Sequence, residues 1–281
     1  MFLCYFSLAA GTQARDLNYA PLPMENPRHT VALNQPLLAE VAGSSGLNLR
    51  IRHHADYADI LAAFVDGDID VAYLGPLPFL ALRSLTSAAE PLVIFQESDG
   101  FPVYTCALVA PYDGITDSND LHSTAVAGPE PLCVAITQPL STCGTLATTW
   151  MLQQQGVDAN QVNTQALGHH EAVALAVIRA EFAVGGVKTD IANRFSPLGL
   201  RVLKQSPRLP GFAWVVNRAT VPDATVTVLR DALLGIPDER LAELDLGRHG
   251  FALPDWEAYQ RLEAMLAETG LSLTELLDGS H

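Results

Sequence analysis

Between Leu47 and Leu82 the chain changes its hydrophobic period three times, and each change carries its own punctuation. Leu47 to His53 alternates apolar and polar residues, as a half-buried strand does. Tyr57, Ile60, Leu61 and Phe64 then fall at helical spacing, and Gly67 stands where a helix end takes a left-handed residue. Asp70 to Leu74 reads as a buried strand. Gly75-Pro76-Leu77-Pro78 opens a second helix, with proline in the first turn, where its missing N–H costs nothing. This βαβα order is the grammar of a mostly parallel sheet covered by helices. Ligands of such sheets gather at the carboxyl ends of strands, facing helix N-termini, which is where Leu74, Gly75 and Pro76 stand.

A second unit of the same kind follows. Leu92 to Phe95 and Val103 to Val109 read as strands, then Cys133 to Ile136, a polar turn Thr137 to Thr142, and a helix from Gly144 to Gln155 ended by Gly156. Gly168-His169-His170-Glu171 leads a helix through Ile178, and Val184 to Val187 and Gly211 to Asn217 are further strands. Val226 to Leu233 and Trp256 to Ala267 are helical and are expected to pack back on the first unit. At 281 residues and 49% hydrophobic content, the chain suffices for one large α/β unit or for two lobes, each with its own core. There is no internal repeat and no low-complexity linker, so two lobes would be joined by ordered strands.

Acidic residues outnumber basic ones by 31 to 16, giving a formal net charge of −15, and no stripe of Lys or Arg could neutralise a phosphate backbone. Nucleic acid is therefore not an expected partner. A small anion is compatible with this charge, because oriented backbone amides make a local positive field. No apolar stretch is long enough to cross a bilayer. Met1 to Ala10, leading into Gly11-Thr12-Gln13-Ala14, reads as an export signal without its basic start, with a buried first strand as the other reading. Cys4 would leave with the signal. Cys106, Cys133 and Cys143 would remain, with no CxxC pair and no zinc-ligand spacing.

Ser141 and Thr142 precede a helix, so they either cap it or join its free first-turn amides in holding an anion. Tyr57 and Tyr104 are either core aromatics or phenolic donors that shape a pocket. His170, in the first turn of its helix, is a structural histidine, an oxyanion donor or a metal ligand. His53 and His54 end a strand and read as solvated.

Taken in order, several of these segments resemble one family over nearly the whole chain. Tyr57 with its helix, Gly67-Asp68-Ile69-Asp70-Val71-Ala72-Tyr73-Leu74-Gly75-Pro76, Tyr104-Thr105-Cys106, Ser141-Thr142-Cys143-Gly144, Gly168-His169-His170-Glu171, and Gly250-Phe251 with Tyr259 and Arg261 are similar to motifs of the PhnD-like phosphate, phosphite and phosphonate binding proteins of ABC transporters. The resemblance implies a type II periplasmic binding fold: two α/β lobes, each a mostly parallel sheet flanked by helices, with a cleft between them. It implies lobes of residues 16–105 with 214–281 and of 106–213, hinged near Tyr104 to Val109 and Gly211 to Asn217. It further implies a periplasmic, monomeric, non-enzymatic protein that captures a small oxyanion and presents it to an ABC permease or to the sensor domain of a histidine kinase. The ligand-contacting set implied is Tyr57, Leu74, Gly75, Pro76, Tyr104, Cys106, Ser141, Thr142, Cys143 and His170.

Two departures stand out. Cys106 and Cys143 occupy positions where the family carries serine, exchanging a hard hydroxyl for a soft sulfur. Three accounts stay open: a disulfide bracing the cleft; a soft-ligand site for arsenite, copper or zinc built from Cys106, Cys143 and His170; or small buried residues in place of serine. An acidic residue expected before Gly185, suited to a ligand amine, is replaced by Ala183, which argues against aminophosphonates. A Ser141–His170–Glu171 triad or a Cys143–His170 pair can be written down, but no nucleophile elbow or cysteine-protease signature accompanies either.

Overall fold

The computed structural model describes residues 16–24 and 27–279; the expected export signal lies outside the described residues. In chain order the strands are β1 (Asp16–Pro21), β2 (Asn48–Ile51), β3 (Val71–Leu74), β4 (Ala89–Phe95), β5 (Val103–Tyr104), β6 (Cys106–Pro111) and β7 (Leu132–Ile136). They continue with β8 (Val162–Ala166), β9 (Val184–Lys188), β10 (Leu200–Gln205), β11 (Leu209–Pro210), β12 (Ala213–Asn217) and β13 (Phe251–Ala252).

These strands form two main sheets, ordered β13-β4-β12-β3-β1-β2 and β10-β6-β9-β7-β8, and a two-stranded ribbon, β11-β5. Both sheets follow one plan. Three parallel strands lie in the order second, first, third (β2-β1-β3 and β8-β7-β9), and beside the third runs an antiparallel strand that has crossed from the other half, β12 or β6. The repeat absent from the sequence is thus present in the topology. The chain crosses between the halves at β5–β6 and at β11–β12, and the β5–β11 ribbon ties the two crossings together.

Strands covered on both faces are apolar throughout, as β3 and β6 show with every residue buried. Around β3 the packing is held by polar groups as well. Buried Asn217 donates from Nδ2 to the carbonyls of Phe64 (2.8 Å) and Ile69 (3.2 Å). Asp70 accepts the Asn18 amide at 2.8 Å and the Thr220 hydroxyl at 2.6 Å. The Gly67-to-Asp70 part of the family-like motif is therefore a structural clamp that aims β3, and only its continuation at Gly75 reaches the site.

The C-terminal helices divide their work, contrary to the expectation that all pack on the first unit. Asp223–Leu234 packs on the helix Pro27–Ser45 and on β4. Trp256–Thr269 straddles both halves. Its Tyr259 meets Phe79 of the first half with ring centres 4.9 Å apart. Across the gap, Trp150 Nε1 donates to Glu268 Oε2 at 2.7 Å, and Gln153 Nε2 donates to the Thr269 carbonyl at 3.0 Å. Tyr259, part of the C-terminal signature, is a packing residue.

Candidate functional site

Six parallel strands, three from each sheet, end facing one another, and residues at or just beyond those ends line a single crevice. Leu22 follows β1, Tyr57 follows β2, and Gly75 and Pro78 follow β3; opposite them, Ser141, Thr142 and Cys143 follow β7, His170 follows β8, and Lys188 ends β9. Tyr104 and Phe212, from the two crossings, complete the lining. Its inner space is only about 10 Å³, about one water molecule's worth. In this arrangement the crevice is too tight for even a small oxyanion.

The turn after β7 is built tightly. Ser141 caps the following helix by accepting the Gly144 amide on Oγ at 3.0 Å, while its carbonyl accepts from both Thr145 (3.0 Å) and Leu146 (3.3 Å), widening the first turn into a π-helical one. The helix continues through Gln153. Gly144 is required because a Cβ there would stand 2.3 Å from Thr137 Oγ1 and 2.7 Å from its amide nitrogen. Gly186 on β9 is required in the same way: a Cβ would stand 1.7 Å from Thr148 Oγ1 and 2.7 Å from the Cys143 carbonyl oxygen. The amides of Thr142 and Cys143 have no helix carbonyl behind them, so this helix start retains donors facing the crevice.

The opposing helix, Pro76–Leu85, contributes differently from the sequence expectation. Prolines at 76 and 78 remove two of its early amides, and the Leu77 amide is donated to Thr142 Oγ1 at 3.0 Å across the crevice. The two helix starts do converge, but the amide donors come chiefly from the Ser141 side. Gly75 admits the close approach: a Cβ there would come within 3.3 Å of the Phe212 ring and 3.5 Å of Thr142 Oγ1. Leu74 and Pro76 are buried beside this point without lining the crevice.

Burial holds the phenols of Tyr57 and Tyr104 well above their ordinary values, so both stay protonated and able to donate. Burial, reinforced by Lys188 and His169, pushes His170 down to about 4. Its Nδ1 accepts the Lys188 amide at 3.4 Å, so the neutral ring carries its proton on Nε2 as a donor. His169 is the helix cap, with Nδ1 accepting the Ala172 amide at 3.3 Å. A pH dependence follows. Because the folded value lies below the ordinary 6.5, the contribution of neutral His170 is complete above about pH 6.5, falls as the unfolded chain takes up the proton below that, and is fully lost near pH 4. Urea midpoints at pH 7.5 and 4.5 should therefore differ less in His170→Gln than in the natural protein; an equal loss in both contradicts this assignment.

Cys106 and Cys143 form a disulfide, with Cα atoms 5.1 Å apart. Of the three accounts the structure shows the disulfide, which takes both sulfurs out of the soft-ligand set of Cys106, Cys143 and His170. With both sulfurs bonded to each other, neither is a thiolate that could ligate copper, zinc or arsenite. Among the described residues no group of three His, Cys, Asp or Glu side chains is placed to hold a metal. Cys106 is fully buried behind the crevice wall, while Cys143 lines it. Cys133 is free and exposed. Ala183 stands at the start of β9, its amide bonded to the Cys133 carbonyl, at the end of the strand away from the crevice. It therefore says nothing about a ligand amine. Glu171 pairs with Arg194 at 2.6 Å in solvent, outside any triad, and His53 and His54 line a separate surface hollow.

Lys188, Phe212, Leu22 and Pro78 were not among the residues the sequence suggested. Lys188 could have been found, since it directly follows a strand that the sequence did show and strand ends are where ligands gather.

Two helix-flanked sheets of like topology, joined by two crossings and meeting over a crevice of hydrogen-bond donors, define a periplasmic binding protein fold. Residues 19–259 match the family of periplasmic substrate-binding proteins of phosphonate ABC transporters, and the chain belongs to that family. It is thus the periplasmic, substrate-binding component of a transporter and not an enzyme. Among the described residues no helix is long and apolar enough to cross a membrane. The phosphate-import protein PhnD of Mycolicibacterium smegmatis is 21% identical over 74% of this chain and 68% of its own length. The binding protein component of an ABC phosphonate transporter from Pseudomonas aeruginosa superposes with a TM-score of 0.78 at 21% identity, over 92% of this chain and 87% of that one. PhnD1 of Prochlorococcus marinus, solved in complex with methylphosphonate, gives a TM-score of 0.76 at 15% identity, over 91% of this chain and 98% of that one.

Proposed function

We propose that the crevice captures a small tetrahedral oxyanion of the phosphate, phosphite and phosphonate class. The single observation that carries this is the convergence of donors on one point: the Ser141–Cys143 helix start, the protonated Tyr57 and Tyr104 phenols, and the neutral His170 ring all line it. Backbone amides and neutral hydroxyls suit an anion that must be fully desolvated, because they stabilise its charge without bringing a compensating buried charge of their own. A phosphate-import relative and a methylphosphonate complex of the same fold support the same class.

On this reading residues 16–105 with 214–281 form one body and 106–213 the other, and they open about the β5–β11 ribbon. The closed form is held by bonds that cross the gap. Gln138 accepts the Tyr57 amide at 3.2 Å and donates to the Pro23 carbonyl at 3.4 Å, while its bond to the Gly168 carbonyl (3.2 Å), within its own half, fixes its position. A bound anion adds to these bonds and shifts the population toward closure, which is what a permease or a sensor-kinase domain must distinguish. The protein acts as a monomer.

Isothermal titration with phosphate, phosphite and methylphosphonate tests the proposal. Binding of at least one with a Kd at or below about 10 μM, or about 7 kcal/mol, is expected. Silence across all three at millimolar concentration overturns it.

A further inference from the structure

Among the described residues, Lys188 is the one lining residue of the crevice that carries charge at neutral pH, since His170 is neutral there. Its half-buried ammonium is already partnered. Nζ lies 2.6 Å from Glu97 Oε1 and 3.4 Å from Asp190 Oδ2, and 5.3 Å and 5.9 Å from the ring centres of Tyr104 and Phe212. Two carboxylates and two aromatic faces are what an ammonium group seeks when it leaves water. Beyond this box lies a polar hollow of about 320 Å³, lined by Glu97, Tyr104 and Asp190 among others. Tyr104 lines both spaces, and Lys188, which lines the crevice, is paired with Glu97 and Asp190 of the hollow.

We propose that Lys188 is the specificity-determining residue of the crevice: its own ammonium occupies a carboxylate-and-aromatic box that would otherwise receive the cationic tail of an aminoalkyl phosphonate. The protein thereby selects oxyanions whose substituent is small and uncharged. This inference rests on the oxyanion reading above. A ligand ammonium arriving beside Lys188 meets a like charge whose counterions, Glu97 and Asp190, are already engaged. Without Lys188, Glu97 and Asp190 lose their shared cation, and the box is left negative and open toward the crevice.

A purely structural Lys188–Glu97 link between the halves predicts something different, because its loss would weaken every ligand alike. The two roles separate in calorimetric titrations of the natural protein and Lys188→Ala with methylphosphonate and with 2-aminoethylphosphonate. The natural protein should prefer methylphosphonate at least tenfold. Lys188→Ala should bind 2-aminoethylphosphonate at least tenfold more tightly than the natural protein does, while binding methylphosphonate more weakly. Adding Glu97→Gln should remove that gain. Lys188→Ser serves the same comparison where the alanine variant does not fold. Equal weakening of both ligands, or a natural protein that takes both equally well, overturns the inference. Methylphosphonate binding without any gain in the variant defeats the inference alone, whereas a natural protein that binds none of phosphate, phosphite and methylphosphonate defeats the oxyanion reading beneath it.

Discussion

Thr142→Asp abolishes oxyanion capture while leaving the fold in place. Thr142 is buried, begins the helix after β7, and accepts the Leu77 amide from the opposite half. A carboxylate at that position sits at a helix N-terminus, where negative charge is favoured, and can still accept the Leu77 amide. It becomes a built-in anion. An incoming oxyanion then meets a like charge in a desolvated site, at a cost of several kcal/mol. About 4 kcal/mol corresponds to an affinity loss on the order of 1000-fold, and titration calorimetry with methylphosphonate measures it. Thr142→Asn, of the same size but neutral, should lose only about tenfold. Equal losses in the two variants, or a full-strength Thr142→Asp, would show that the anion binds elsewhere.

Removing the disulfide should have the largest effect on stability. The Cys106–Cys143 bond spans a sequence separation of 37, for which the loss of loop-closure constraint on the unfolded chain is worth about 4 kcal/mol. For a chain of this size that lowers Tm by roughly 7 °C. The bond also anchors the ligand turn to β6, beside Lys188, with which Cys106 is in register on the neighbouring strand. Cys106→Ser combined with Cys143→Ser should melt at the lower temperature with or without dithiothreitol, and the natural protein should fall to that temperature once reduced. A natural protein whose melting ignores reductant even after unfolding and refolding in its presence contradicts the assignment.

The parts of this molecule that could be read from the chain are those where burial dictates residue type. β2, β3 and the helices Tyr57–Val65 and Pro76–Leu85 follow the expected boundaries closely, because a half-buried edge strand alternates, a covered parallel strand must be apolar, and helix ends must be punctuated. Gly67, with φ of +83°, does end its helix as expected. β8, an edge strand of sequence VNTQA with four of its five residues exposed, carries no such signal and was passed over. β1, β10 and the helix Pro27–Ser45, which holds Pro36 in its interior, were missed as well. Of the proposed ligand residues, Tyr57, Gly75, Tyr104, Ser141, Thr142, Cys143 and His170 share one crevice. Leu74, Pro76 and Cys106 lie behind it.

What could not be read was pairing across the gap. Cys106 and Cys143 lie on elements brought together only by the second sheet, and spacing alone says nothing of that. Lys188 and Glu97 are 91 positions apart and meet across the hinge region. The doubling of the sheet plan was equally hidden, since topology can repeat where side chains share no pattern.

A crystal structure of the protein grown with methylphosphonate tests the central claim most directly. The account predicts one tetrahedral anion between the halves, within hydrogen-bonding distance of the Thr142 or Cys143 amide and of at least one of the Tyr57 and Tyr104 hydroxyls. An anion bound outside that crevice, or in it but facing away from the Ser141–Gly144 turn, would contradict the account.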